Sequence, residues 1–155
     1  MFESTNNHLL HKNAVKLVLA QLPGARDMDA IEGYYSPYDI EWRNIKLLVK
    51  VANQSKKSSQ KRAKWFYRLR PKDHEVVDYF ILFAITLNQV GAIYVLPKIC
   101  SPFVYITITR LDGNIRYDYF RTDLNNLSQK ILKLQAELPK LVKIRRKARA
   151  MRGGG

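Results

Sequence analysis

Asp39 and Lys50 are the two residues whose types and spacing best suit chemistry. Asp39 follows Pro37-Tyr38, and Lys50 closes Leu48-Val49-Lys50 at the centre of the β-rich run Ile45 to Ala52. Alternation along that run puts Leu47, Val49 and Val51 on one face and Lys46, Leu48 and Lys50 on the other. An amine among apolar neighbours is costly to bury unpaired, so an inward-facing Lys50 needs a counter-charge, and Asp39 is its natural one. Glu41, two residues on, would share a face with Asp39 in an extended strand. Each of the three also has a plainer reading. Asp39 would then be a turn residue after Pro37, Glu41 a solvent-facing strand charge and Lys50 a solvated lysine. His74, inside Lys72-Asp73-His74-Glu75, reads as a general base, a phosphate contact or ordinary loop surface. His8 and His11 are three apart on one helix, close enough for two ligands, but nothing else completes a zinc site. Cys100 has no nucleophile partner in sequence and reads as a core thiol. The scattered glycines form no phosphate-cradling loop, which argues against nucleotide hydrolysis.

The elements that must position these residues follow from periodicity. Leu10, Ala14, Leu17, Val18 and Leu22 recur at helical spacing after Ser4 to Asn7, and Pro23-Gly24 ends that helix. Residues 25 to 31 read as a polar loop, and Gly33 to Trp42 as an extended stretch interrupted at Ser36-Pro37. Asn53 to Lys64 is a Ser/Gln/Lys-rich loop, and Trp65 to Leu69 returns to strand character. Tyr79 to Ile85 and Ala92 to Leu96 are apolar runs expected as central strands buried on both faces. Phe103 to Thr109 and Ile115 to Phe120 flank an Asp112-Gly113 hairpin signal. Thr122 or Asp123 caps a closing helix, along which Leu124, Leu127, Ile131, Leu134, Leu138 and Leu141 keep an a/d spacing. Pro139 is expected to kink or split it.

This ordered series resembles the PD-(D/E)XK nuclease superfamily, and within it the group I intron-associated homing endonucleases. The residues that carry the likeness span roughly 8 to 100: the first helix, Tyr38-Asp39-Ile40, Val49-Lys50-Val51-Ala52, Trp65-Phe66-Tyr67 after a basic loop, Asp78-Tyr79-Phe80, and Ile93-Tyr94-Val95-Leu96-Pro97. The resemblance implies an α/β (α+β), restriction-endonuclease-like mixed central sheet flanked by helices, with a hairpin and a C-terminal basic helix. It also implies Mg²⁺ held by Asp39 against the scissile phosphate, with Lys50 orienting or activating water. Glu41, by its spacing from Asp39, is the candidate for a relocated second acid and metal ligand. The chain departs from the pattern at Leu48, where the superfamily has an acid and the intron branch can have Gln. The first helix, which in such enzymes often supplies a Glu, offers His8, His11, Asn13 and Gln21.

Charge points to the same partner. The formal net charge is +14, yet it is concentrated in two segments. Arg43 to Lys72 holds eleven Lys/Arg without an acid, the stretch after Glu137 holds seven more, and the remainder nets −4. Dense like-charged blocks repel unless they meet a polyanion, and phosphate backbones are the commonest one. Lys56, Lys57, Lys61, Arg62 and Lys64, interleaved with Ser and Gln, suit phosphate contacts. On the next strand Phe66, Arg68 and Arg70 would share one face while Trp65, Tyr67 and Leu69 pack. Arg62, Arg68 and Arg70 are the expected base contacts. Arg145, Arg146, Lys147 and Arg149 form a second phosphate clamp.

The expected organisation is a nuclease-like domain over 1–122 and an amphipathic helix with a basic tail over 123–155. The leucine stripe at 124–141 has two readings, packing on the sheet or a homodimer seam. DNA is the first expected partner, RNA the second, and a membrane is not expected. The longest apolar run, Val76 to Ile85, is ten residues and contains Asp78. A single cysteine and no basic-then-apolar opening set the expectation of an intracellular protein of cytoplasm or nucleoid, not a secreted one. Two functions remain open: a Mg²⁺-dependent endonuclease or weakened derivative of one, and a non-catalytic DNA/RNA-binding module or ribonucleoprotein component.

Overall fold

The apolar runs around residues 80 and 95 become the centre of the structure, a computed structural model that describes residues 7–33, 36–54, 64–101, 105–109, 111 and 117–153, with backbone alone at 7 and 144–153. In chain order the first elements are α1 (Asn7–Gln21), β1 (Arg26–Asp27), α2 (Met28–Glu32), β2 (Ile40–Trp42), β3 (Ile45–Asn53) and β4 (Trp65–Arg68). They are followed by α3 (Pro71–Val76), β5 (Tyr79–Thr86), β6 (Gln89–Pro97), β7 (Tyr105–Ile108), β8 (Arg121–Thr122) and α4 (Leu127–Gly153). Six strands form a mixed sheet in the order β1-β2-β3-β5-β6-β8. β3 and β5 run parallel, and the other described pairs in it are antiparallel.

The expected burial of the central strands holds. Phe80 to Ile85 are fully buried, and Ala92 to Leu96 nearly so. Two tight turns set the registers around them. Arg43-Asn44 (φ 52 and 64) joins β2 to β3, and Leu87-Asn88 (φ 51 and 60) joins β5 to β6. Two successive positive φ angles match the right-handed twist of hairpin strands. Asn tolerates that conformation better than most side chains, which explains both second positions.

α1 buries Leu10, Ala14 and Val18 and packs on β3, and the buried Leu127, Ile131 and Leu134 of α4 pack toward β6 and α1. β4 and β7 form a separate two-stranded ribbon. Trp65 ties it to the sheet by donating its indole N–H to the Ile85 carbonyl at 3.1 Å. The alternation expected for 65–70 is present: Trp65, Tyr67 and Leu69 are buried, and Phe66, Arg68 and Arg70 are exposed.

Several local expectations change. Residues 25–31, read as loop, fall mostly in a short strand and a helix over 26–32, capped by Asp27, whose side chain accepts from the Ala30 N–H at 3.3 Å. The strand before Trp42 starts only at Ile40, after a bend over 37–39. Residues Asp118–Phe120, read as strand, form a 3-10 turn, and the turn signal at 112–113 lies outside the described residues. α4 runs on past Pro139, which is exposed, as is Gln135 one turn before it. Water can serve the carbonyl that the missing N–H leaves open there. The leucine stripe takes its packing reading: Leu127, Ile131 and Leu134 are fully buried, and Leu138 and Leu141 partly. A homodimer seam would therefore lack its three central side chains. No described helix is long and apolar enough to cross a membrane.

Candidate active-site cleft

The Arg43-Asn44 turn fixes Ile40 opposite Leu47, so the residue before β2 arrives beside Leu47–Val49. Asp39 donates its N–H to the Leu47 carbonyl at 3.0 Å and accepts from Met28 N–H at 2.9 Å. Beyond this point β2 no longer accompanies β3, and the Val49 N–H needs another acceptor. The Asp39 carboxylate supplies it: Val49 N donates to Oδ2 at 2.8 Å. His11 on α1 places Nε2 3.2 Å from the same oxygen. Hydrogen bonding to Asp39 raises the His11 pKa above its ordinary value despite desolvation. Asp29, from α2, has its carboxyl raised by burial and then by the charge of Asp39.

A second acid comes from α3. Asp73, 2% exposed, accepts from the Arg70 N–H at 3.0 Å, and the Arg70 guanidinium lies 3.3 Å from its Oδ1. Lys50 Nζ approaches Asp73 Oδ2 at 3.9 Å. Burial holds the Lys50 amine below its ordinary pKa, and Asp73 opposes that shift. Lys50 therefore faces inward, but its near counter-charge is Asp73, with Asp39 acting from farther away.

Between α1, α2, the bend before β2 and α3 lies an open cleft of about 830 Å³. His8, His11, Lys12, Asp27, Asp29, Asp39, Arg70, Lys72 and Asp73 contribute to its lining. Lys50 is not among the lining residues, and its amine meets the cleft through Asp73. Glu41 does not join the group. It accepts from the Tyr38 hydroxyl at 3.0 Å and lies 3.9 Å from Arg26. Two-residue alternation fails here because Asp39 belongs to the bend and not to β2. Among the described residues no three His, Cys, Asp or Glu side chains are grouped to hold a metal ion together.

His74 lies on α3, not in a loop. It hydrogen bonds with the Arg70 carbonyl at 3.3 Å and Ser101 Oγ at 3.1 Å, and packs on Phe80. Cys100 is half-buried against the core and free of disulfide. Lys64 borders β4, while Arg68 and Arg70 are exposed. Lys56, Lys57, Lys61 and Arg62 lie outside the described residues. Arg145, Arg146, Lys147 and Arg149 fall within α4, where the backbone alone is described. His11, Asp29 and Asp73 line the cleft, and no sequence pattern grouped them with Asp39. The one sequence signal for Asp73 was its spacing, three after Arg70 at the start of a Pro-led helix, where an acid can accept from the first free N–H groups.

No protein-family model matches this sequence, and no curated protein matches it significantly. In three dimensions the chain is similar to the bacterial homing endonuclease I-Ssp6803I. The match has a TM-score of 0.53 at 16% identity and covers 90% of this chain and 99% of that one. The fold is thus a homing-endonuclease-like α+β fold, which the mixed six-stranded sheet flanked by helices fits.

Proposed function

We propose that the chain binds double-stranded DNA at this cleft and hydrolyses its phosphodiester backbone as a PD-(D/E)XK-type endonuclease with relocated acids. The observation that carries the reading is the meeting of Asp39, Asp29 and the Lys50–Asp73 pair around one open cleft in a homing-endonuclease-like fold. The donor chemistry fits Mg²⁺. This ion needs only one or two carboxylates beside phosphate oxygens and waters. Asp29 and Asp39 line the cleft together, and the repulsion that raises Asp29 is one a divalent cation would relieve. Asp29 would thereby replace the acid that Leu48 cannot provide, and Glu41 is not required. The bound ion would polarise the phosphate and acidify a water. Arg70 and Lys12 offer positive charge to the backbone. Lys50, held at the cleft through Asp73, is suited to orient a water.

One observation favours the second reading, a DNA-binding module that does not cut. His11 Nε2 already hydrogen bonds the Asp39 oxygen that a metal ion would need. Incubation of the full chain with supercoiled plasmid and Mg²⁺ or Mn²⁺ separates the two. The endonuclease reading expects nicking or linearisation that is lost in Asp39→Asn and Lys50→Ala, with gel-shift affinity retained. Salt-dependent binding without cleavage at any protein concentration would leave the binding module.

A further inference from the structure

The ribbon is the part of the surface that the cleft does not explain. Its buried face carries Trp65, Tyr67, Ile106 and Ile108. The opposite face presents Phe66 and Arg68 from β4 and Tyr105 and Thr107 from β7. Cross-strand register sets Phe66 against Thr107 and Arg68 against Tyr105, so the four side chains form one compact patch. Phe66 and Tyr105 are 49% and 52% exposed, with ring centroids 5.0 Å apart. A diagonal aromatic pair can stabilise a ribbon on its own. That would not account for the cations beside it or for the lack of any carboxylate on the exposed positions of either strand.

We propose that this face is a base-reading element, which enters the major groove of the duplex whose backbone lies in the cleft. The proposal rests on the DNA-binding half of the function above, not on cleavage. Two strands about 5 Å apart fit within a major groove about 12 Å wide. Arg68 is placed to bond guanine O6 and N7 bidentately, and the rings of Phe66 and Tyr105 suit thymine methyl groups. Arg70 follows Arg68 by two residues and lines the cleft, so groove and backbone contacts continue along one chain segment. Duplex RNA fits poorly, since its deep, narrow major groove excludes side chains.

The test is selection by the full-length protein from a random-sequence duplex DNA pool, with a single-stranded RNA pool run in parallel. Wild type should enrich a guanine-containing motif. Arg68→Lys, which keeps the charge but not the fork, should lose discrimination at that guanine by about tenfold while bulk DNA affinity stays within about twofold. Phe66→Ala with Tyr105→Ala should relax a neighbouring thymine position with at most a small drop in melting temperature. A wild-type selection without a motif, an unchanged motif in Arg68→Lys, or preferential enrichment of single-stranded RNA would each overturn the proposal. Asp39→Asn should select the same motif as wild type, so a failure of cleavage leaves this result readable.

Discussion

β3 and β5 are hydrogen-bonded neighbours over seven residue pairs, yet they lead different lives. β5 has a full-length strand on either side, and Phe80 to Ile85 are buried without a charge among them. β3 has that support on one side only, because β2 accompanies it for three residues and then bends away. Where the ladder stops, a carboxylate takes over the backbone's hydrogen bond at Val49, and an amine at Lys50 turns toward a buried acid. A strand whose partners are backbone can be wholly apolar. One whose partners run out recruits side chains, and here one of them, Asp39, lines the cleft.

Substitutions can break or sharpen this contrast. The largest effect is expected in β5: Phe83→Ala, at a fully buried position, should destabilise the fold by about 3–5 kcal/mol in urea titration. A cost below that of the β3 changes would reverse the comparison. Next is Asp39→Ala, which orphans the Val49 N–H and should cost about 1–3 kcal/mol. Asp39→Asn keeps an acceptor oxygen and should cost clearly less; equal losses would mean the ladder repair is not what matters. Asp73→Ala removes the acceptor of Arg70 and the charge beside Lys50, again about 1–3 kcal/mol. Adding Lys50→Met should recover part of that loss by removing the stranded amine. The smallest effect belongs to Tyr79 at the start of β5, whose buried phenol has its pKa pushed up from 10.0 to about 12 by desolvation. A folded-state value above the unfolded one means that its contribution is complete below pH 10.0 and fades as pH rises through about 12. Tyr79→Phe should be nearly neutral at pH 7 and flatten the alkaline decline; an identical alkaline profile would contradict this.

The same contrast explains what the amino-acid order reveals. Tyr79 to Ile85 and Ala92 to Leu96 announce a doubly buried pair because nothing polar interrupts them. The two-residue rhythm of 65–70 and the leucine spacing of α4 are equally legible, each being a local pattern that burial simply follows. The nuclease-like order of elements is legible for the same reason. The cleft is not. His11 and Asp39 are 28 residues apart, and Lys50 reaches Asp73 only because α3 is set down directly after β4. Glu41 misleads because alternation applies within a strand, and Asp39 stands just outside one. Arg26 to Glu32 looks like loop because its elements are too short to show a period, yet this stretch supplies Asp29. The β4–β7 pairing joins segments far apart in the chain, which no local pattern encodes.

The bond from Val49 N–H to Asp39 Oδ2 also gives the protein an internal gauge. An amide held in a ladder exchanges its hydrogen only when strands part. This one is held by a side chain that lines the cleft, where a bound cation would compete for the same carboxylate. Whatever draws the carboxylate away should loosen this single amide while those of β5 stay protected. The exchange rate and chemical shift of Val49 therefore report occupancy of the cleft directly.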